Sequence, residues 1–174
     1  MGAIIYIVNF DKRQYIDPAC FGESEEPGGY MLGYHARAVA LLACAPGPLI
    51  DLGSQWPGAW FGDRVQVVYN ERDYNPLGIE TGTTEHPDRE LYPMIWQEFQ
   101  EFSREALAMI CNADEQAADE LAGRAKDDYV GFLLWNLGAV VANGWSPQLA
   151  KAIGRHFGTA WDEAYNRSKE TYDD

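Results

Sequence analysis

The stretch Pro57-Gly58-Ala59-Trp60-Phe61-Gly62-Asp63-Arg64, running on into Val65-Gln66-Val67-Val68-Tyr69, decides the fold. Glycine and proline punctuate its first part into a turn, and its second part is an apolar, β-branched run of strand length. Together they describe a chain entering an inner strand with a bulky aromatic pair, Trp60 and Phe61, at its mouth. What lies upstream can supply partner strands, and almost everything downstream has helical periodicity.

Upstream, residues 3–10 are a β-type run, Asp11-Lys12-Arg13 supply a polar turn, and Gln14-Tyr15-Ile16 restart an extended segment that Pro18 closes. The expectation is a hairpin paired with the strand at 64–70. Residues 23–29 are rich in Glu, Pro and Gly and read as a solvated loop. Met31 to Cys44 carries Leu32, Ala36, Val39, Ala40 and Ala43 at helical spacing before Ala45-Pro46-Gly47-Pro48 ends it. With only Arg37 and His35 to bear charge, that helix is expected to be largely buried.

Downstream, residues 71–90 have no periodicity and hold six acids (Glu71, Asp73, Glu80, Glu85, Asp88, Glu90) against Arg72 and Arg89. An irregular segment of that length is usually functional or mobile. A helix follows over 91–112, with Tyr92, Ile95, Trp96, Phe99, Phe102, Ala106, Met109 and Ile110 in one core stripe and Glu98, Glu101 and Glu105 largely toward solvent. Asn112 or Asp114 then caps an acidic helix through Lys126, flanked by Asp114, Glu115, Asp119 and Glu120. Tyr129 to Val141 reads as a central buried helix stopped by Asn143-Gly144. Ser146-Pro147 opens a last helix carrying Leu149, Ile153, Phe157, Trp161 and Tyr165 on one stripe.

These elements make an α+β fold: a small antiparallel sheet of about three strands at the N-terminal end, packed against four to five helices, with an all-helical C-terminal half. The expectation is a single domain over 1–174, with sheet and first helix in 1–70, the acidic loop in 71–90 and the helical part in 91–172. At 174 residues and 47% hydrophobic content the chain is long enough for one sizeable core.

Thirteen Lys and Arg stand against 27 Asp and Glu, a net charge of −14. That field repels phosphate backbones and anionic lipid, so neither nucleic acid nor a membrane is an expected ligand, and a basic protein is an attracted one. Solubility alone is the plainer account of the same charge. Cys20, Cys44 and Cys111 are odd in number and lack a C-x-x-C spacing, which fits a reducing compartment. The opening Met1 to Phe10 lacks a basic n-region and reads as a strand, and no apolar run reaches bilayer length, so a cytoplasmic location is expected.

No residue pattern marks a reactive centre. His35, His86 and His156 have no metal-ligand spacing, and no cofactor or metal is expected. His86-Pro87-Asp88-Arg89-Glu90 mixes imidazole with carboxylates and could serve as an acid/base lid. Asp63-Arg64 could be a buried pair that pins the turn or a site for a polar ligand, and the turn's glycine and proline favour the pair. Cys44, at a helix C-terminus with no basic neighbour, reads as inert packing.

The chain resembles a family of small, uncharacterised bacterial proteins. Their opening Y-x-V-N-x-x-K-x-x-Y-I is matched by Tyr6 to Ile16, and their G-x-W-x-G-D-R-[IV] by Gly58 to Val65, with an aromatic-rich helix following at Tyr92 to Cys111. The likeness covers roughly the first 112 residues, and the C-terminal helical part departs from it. By analogy of charge and size, it implies an immunity protein, an antitoxin for a secreted bacterial toxin, and it supplies no catalytic residue.

Two functions follow as expectations. The first is a non-enzymatic binder that neutralises a basic partner, a cognate toxin, by covering its active site. Its contact face would comprise the acids Glu71, Asp73, Glu80, Glu85, Asp88 and Glu90, the acids Asp114, Glu115, Asp119 and Glu120, and aromatic anchors at Trp56, Trp60 and Tyr74. The second is a small hydrolase using His86 with Asp88 or Glu90, or Asp63 with Arg64.

Overall fold

An unbroken apolar run from Ala3 to Val8 is the pattern of a strand covered on both faces, and the computed structural model, which describes residues 5–22, 33–45, 56–70, 91–127 and 131–172, has Ile5, Ile7 and Val8 all buried. Strand β1 (Ile5–Asn9) turns through Asp11-Lys12-Arg13 into β2 (Gln14–Ile16) and pairs antiparallel with it, Ile7 opposite Ile16 and Val8 opposite Tyr15. Strand β3 (Val65–Tyr69) pairs antiparallel with the other side of β1, Ile5 opposite Tyr69 and Asn9 opposite Val65. The hairpin and its pairing with 64–70 are therefore as expected. The inner position is not: among the described residues the order is β3-β1-β2-β4, so β1 lies inside and β3 stands at an end.

A fourth strand, β4 (Gln100–Glu101), corrects the expected antiparallel trio to a mixed sheet, because it runs parallel to β2. It interrupts what the periodicity reads as one helix over 91–112, leaving α2 (Leu91–Glu98) and α3 (Ser103–Ala113). The physical reason is that β2 offers free carbonyls at this point. Gln100 N–H donates to Arg13 O at 2.9 Å and Phe102 N–H to Tyr15 O at 2.7 Å. The break also lets the chain change sides of the sheet. Phe99 stays with α2 and joins Val8, Phe10, Tyr15, Val68, Leu91, Met94 and Ile95, while Phe102 joins Ile7, Ile16 and Trp60 on the opposite face. The sheet is thus sandwiched between α2 and the remaining helices. Trp96, placed in the stripe by its spacing, points away and is 51% exposed. Glu105, expected outside, is half-buried, and burial raises its carboxyl above the usual range.

Helix α1 (Tyr34–Ala43) is buried along Tyr34, His35, Ala38 and Leu42, not along Ala36, Val39, Ala40 and Ala43. Small apolar residues occupy both faces of this helix, so spacing alone mis-phases it, and only one side is buried. Helix α4 (Glu115–Asp127) follows α3 directly, with the Asp114 carboxylate accepting the Gln116 N–H at 3.0 Å. Helix α5 (Phe132–Ala142) is the central one, buried from Leu133 to Val140 except at Trp135.

Ser146 caps α6 (Pro147–Phe157) as expected, its hydroxyl accepting the Leu149 N–H at 3.2 Å. The expected single last helix is broken at Gly158, whose φ of 54° and ψ of −129° belong to a region L-residues avoid. After a 3-10 turn, Gly158–Ala160, helix α7 (Trp161–Tyr172) packs back on α5 while α6 packs on α4. Gly138 permits this: a Cβ there would lie 2.1 Å from the Tyr165 ring. The described residues hold seven α-helices where four to five were expected, because two of the expected helices are each divided.

Candidate functional site

The deciding turn is built by side chains reaching from the hairpin. Asn9, fully buried, donates from Nδ2 to Asp63 Oδ2 at 2.7 Å and accepts the Lys12 N–H on Oδ1 at 2.9 Å. Lys12 Nζ donates both to Asp63 and to the Ala59 carbonyl. Arg64 pairs with Asp11, donating from Nε at 2.8 Å and from its backbone N–H at 2.7 Å. Asp63 and Arg64 therefore form no pair with each other; each ties the turn to the hairpin. Lys12 and Asn9 hold the Asp63 carboxyl below its ordinary range, and Arg64 does the same to Asp11. Trp60 is 1% exposed, and its Nε1–H donates to Gln14 Oε1 at 2.8 Å. Residues from the opening strand and from the Gly58–Val65 turn meet here as a folding device, and Trp60 is inside the protein, out of a partner's reach. Trp56 is half-buried, edge-on to Trp145 with ring centres 5.5 Å apart.

The expected contact acids divide in two. Glu71, Asp73, Tyr74, Glu80, Glu85, Asp88 and Glu90, together with His86, lie outside the described residues. Asp114, Glu115, Asp119 and Glu120 are gathered at the start of α4, but each is engaged within the chain. Arg155 binds Asp119 at 2.9 Å and approaches Glu115 at 3.6 Å, and His156 Nε2 lies 3.2 Å from Asp119. Arg37 stands 3.9 Å from Asp114, and Tyr34 donates its hydroxyl to Glu120. Arg155 first, then His156, lowers the Asp119 pKa; Tyr34 and Gln116 lower that of Glu120. Burial, then the Glu120 carboxylate, pushes the Tyr34 phenol up to about 12.

The charge is unevenly shared along the sequence. Fourteen of the 27 acids and eleven of the 13 bases fall in the described residues, net −3, so the remaining segments hold −11 of the −14. Residues 71–90 contribute −4 of that, and they join the fold between Asn70 and Leu91.

Beside the acidic helix start is a half-open groove of about 310 Å³ between α1, α3 and the first turn of α4. Ala40, Leu41, Ile110, Ala113 and Ala117 line it together with the buried Tyr34 and the exposed Arg37 and Asp114. Of the expected contact residues that are described, Asp114 lines this groove, and Glu120 is bonded to Tyr34 in its lining. The sequence missed the groove because its lining is rich in alanine, which reads as helix filling. It also missed two exposed aromatics, Phe61 at 55% and Trp96 at 51%.

The reactive side chains have quiet surroundings. His35 is fully buried against the edge of Phe21, ring centres 6.2 Å apart. Cys44 Sγ donates to Leu41 O at 2.9 Å. Cys20 and Cys111 are buried, and burial raises both thiols, Cys111 to about 12. Among the described residues no three His, Cys, Asp or Glu side chains converge as a metal ion would need, and no helix is long and apolar enough to cross a membrane.

Comparisons with protein-family models, with curated proteins and with solved structures find no match to this chain.

Proposed function

We propose that this chain is a non-enzymatic protein-binding protein that captures a basic partner, in the manner of an immunity protein covering the active site of a cognate toxin. The observation that carries this reading is the groove at the root of acidic α4. A mostly apolar groove flanked by an exposed guanidinium and an exposed carboxylate, Arg37 and Asp114, is an arrangement in which a partner's side chain can be desolvated. The ion pairs on α4 do not oppose it. Arg155, Asp119 and Glu115 are all substantially exposed, and pairs of that kind contribute about 0–1 kcal/mol, so a partner's cations can compete for the same carboxylates. The acid-rich segments add long-range attraction that speeds encounter. The Asp63 and Arg64 form of the hydrolase alternative is not favoured, because both residues are committed to holding the turn, and its His86 form lies outside the described residues.

The test is association with the purified basic protein encoded beside this chain's gene. The expected on-rate falls at least about tenfold between 50 mM and 500 mM salt. Ala40→Arg, at an exposed position lining the groove, is expected to speed dissociation at either salt concentration. Absence of a complex, or one indifferent to both salt and Ala40→Arg, overturns the reading.

A further inference from the structure

Arginines in this chain are ordinarily matched to acids. Arg13 binds Glu98 at 2.9 Å, Arg64 binds Asp11 at 2.7 Å, Arg155 binds Asp119 at 2.9 Å, Arg167 binds Glu163 at 2.9 Å, and Arg37 lies 3.9 Å from Asp114. Arg104, on the first turn of α3, is held differently. Its Nε donates to Oδ1 of Asn136 at 3.0 Å, and its guanidinium lies over the Trp135 ring, 4.2 Å from the centre. Asn136 is fully buried and fixed in turn by its Nδ2 bond to Phe132 O at 3.0 Å. The Arg104 carbon that bears the fork is therefore pinned from one edge and one face, by groups that carry no charge.

Its two terminal nitrogens have no protein acceptor among the described residues. They are also absent from the buried polar atoms that lack a partner, so they face solvent. In a chain with twice as many acids as bases, a rigid guanidinium that makes no ion pair among the described residues is an oriented and available cation. A planar fork of this kind matches a carboxylate with two parallel hydrogen bonds. Beside it, Trp135, Phe132 and Tyr172 form a partly exposed aromatic cluster, Trp135 lying 5.8 Å from Phe132 and 5.9 Å from Tyr172 between ring centres.

The geometry points to a recognition site for a carboxylate carried on an apolar or aromatic body, the carboxylate on the Arg104 fork and the body against the Trp135 cluster. The chain's net −14 and the half-buried Glu105 next along α3 select a single negative charge over a dianion. The site is separate from the α4 groove and stands whether or not a basic partner binds there.

The experiment follows the side-chain Nε–H of Arg104 and the indole N–H of Trp135 by two-dimensional NMR of the full chain, with three probes. These are benzoate, N-acetyl-glycyl-phenylalanine as the free acid, and the same dipeptide as its amide. Both carboxylates are expected to shift the two signals saturably, and the amide is not. A tighter fit of the peptide acid identifies a chain terminus as the source, and a tighter fit of benzoate a small aromatic acid. Arg104→Lys, which retains charge and loses the fork, is expected to weaken binding at least about fivefold, and Arg104→Gln to abolish it. Equal binding of acid and amide, or shifts that grow without saturating, overturns the site on the wild-type chain alone, whether or not the variants fold.

Discussion

Asp63 shows how a single residue is read correctly in type and wrongly in partner. Its place beside Arg64 suggests a neighbouring pair, yet consecutive residues at a strand entrance point to different sides, and each finds its opposite charge on the hairpin. Asn9 depends on it most, because Asn9 is fully buried and Asp63 is the acceptor for its Nδ2. Asp63→Ala leaves that donor unsatisfied and frees Lys12, so the expected loss is about 2 kcal/mol in denaturant unfolding. Arg64→Ala removes only an exposed pair and is expected to lose less than about 1 kcal/mol. Equal effects of the two would mean that the turn is not anchored through Asn9. The tie between Lys12 and Asp63 could not be seen in the sequence, since the two are 51 positions apart and neither spacing nor periodicity links them.

At the scale of elements, periodicity finds helices well and their ends poorly. The run over 91–112 keeps one apolar stripe through its whole length, so nothing in its spacing marks a division. The division comes from competition: carbonyls of Arg13, just before β2, and of Tyr15 within it capture two N–H groups that a continuous helix would use internally. The consequence is testable by comparing neighbours. Ile95 is fully buried and Trp96 is 51% exposed. Ile95→Ala is expected to destabilise by about 2–4 kcal/mol, and Trp96→Glu to stay within about 0.5 kcal/mol of the wild type. A large loss from Trp96→Glu in chemical unfolding would restore the single helix with Trp96 in its stripe. The last helix follows the same logic, its stripe of Leu149, Ile153, Phe157, Trp161 and Tyr165 running unbroken in sequence across a backbone reversal at Gly158.

For the whole molecule, four carboxylates join elements distant in sequence. Asp11 and Asp63 bind the hairpin to the β3 turn, Asp119 binds α4 to α6, and Glu120 binds α4 to α1. All four hold folded pKa values below the ordinary 3.8 of aspartate or 4.5 of glutamate. A depressed carboxyl stabilises the fold fully above its ordinary value, and that stability is lost as pH falls through the folded one. Glu105 has the opposite sign: its raised carboxyl disfavours the folded state as pH rises past 4.5. Thermal unfolding followed by circular dichroism is therefore expected to hold level, or to gain slightly, from pH 8 down to about 5, then to lose stability below about 4. A midpoint independent of pH down to 3 would show these ties to be without effect.

The α+β class, the hairpin, the strand at 65–69, the Asp114 and Ser146 caps and the acidity of 71–90 are all determined by local sequence. Each depends on turn chemistry, alternation or composition within a few residues. Only tertiary structure decided the parallel fourth strand, the burial of Trp60, the exposure of Trp96 and the groove beneath α4. It alone also showed that the acids around the start of α4 are held by Arg155, Arg37 and Tyr34, while Arg104 pairs with no acid among the described residues. Those features depend on which surfaces compete for the same hydrogen bond, apolar face or charge, and that competition takes place between segments far apart in the chain.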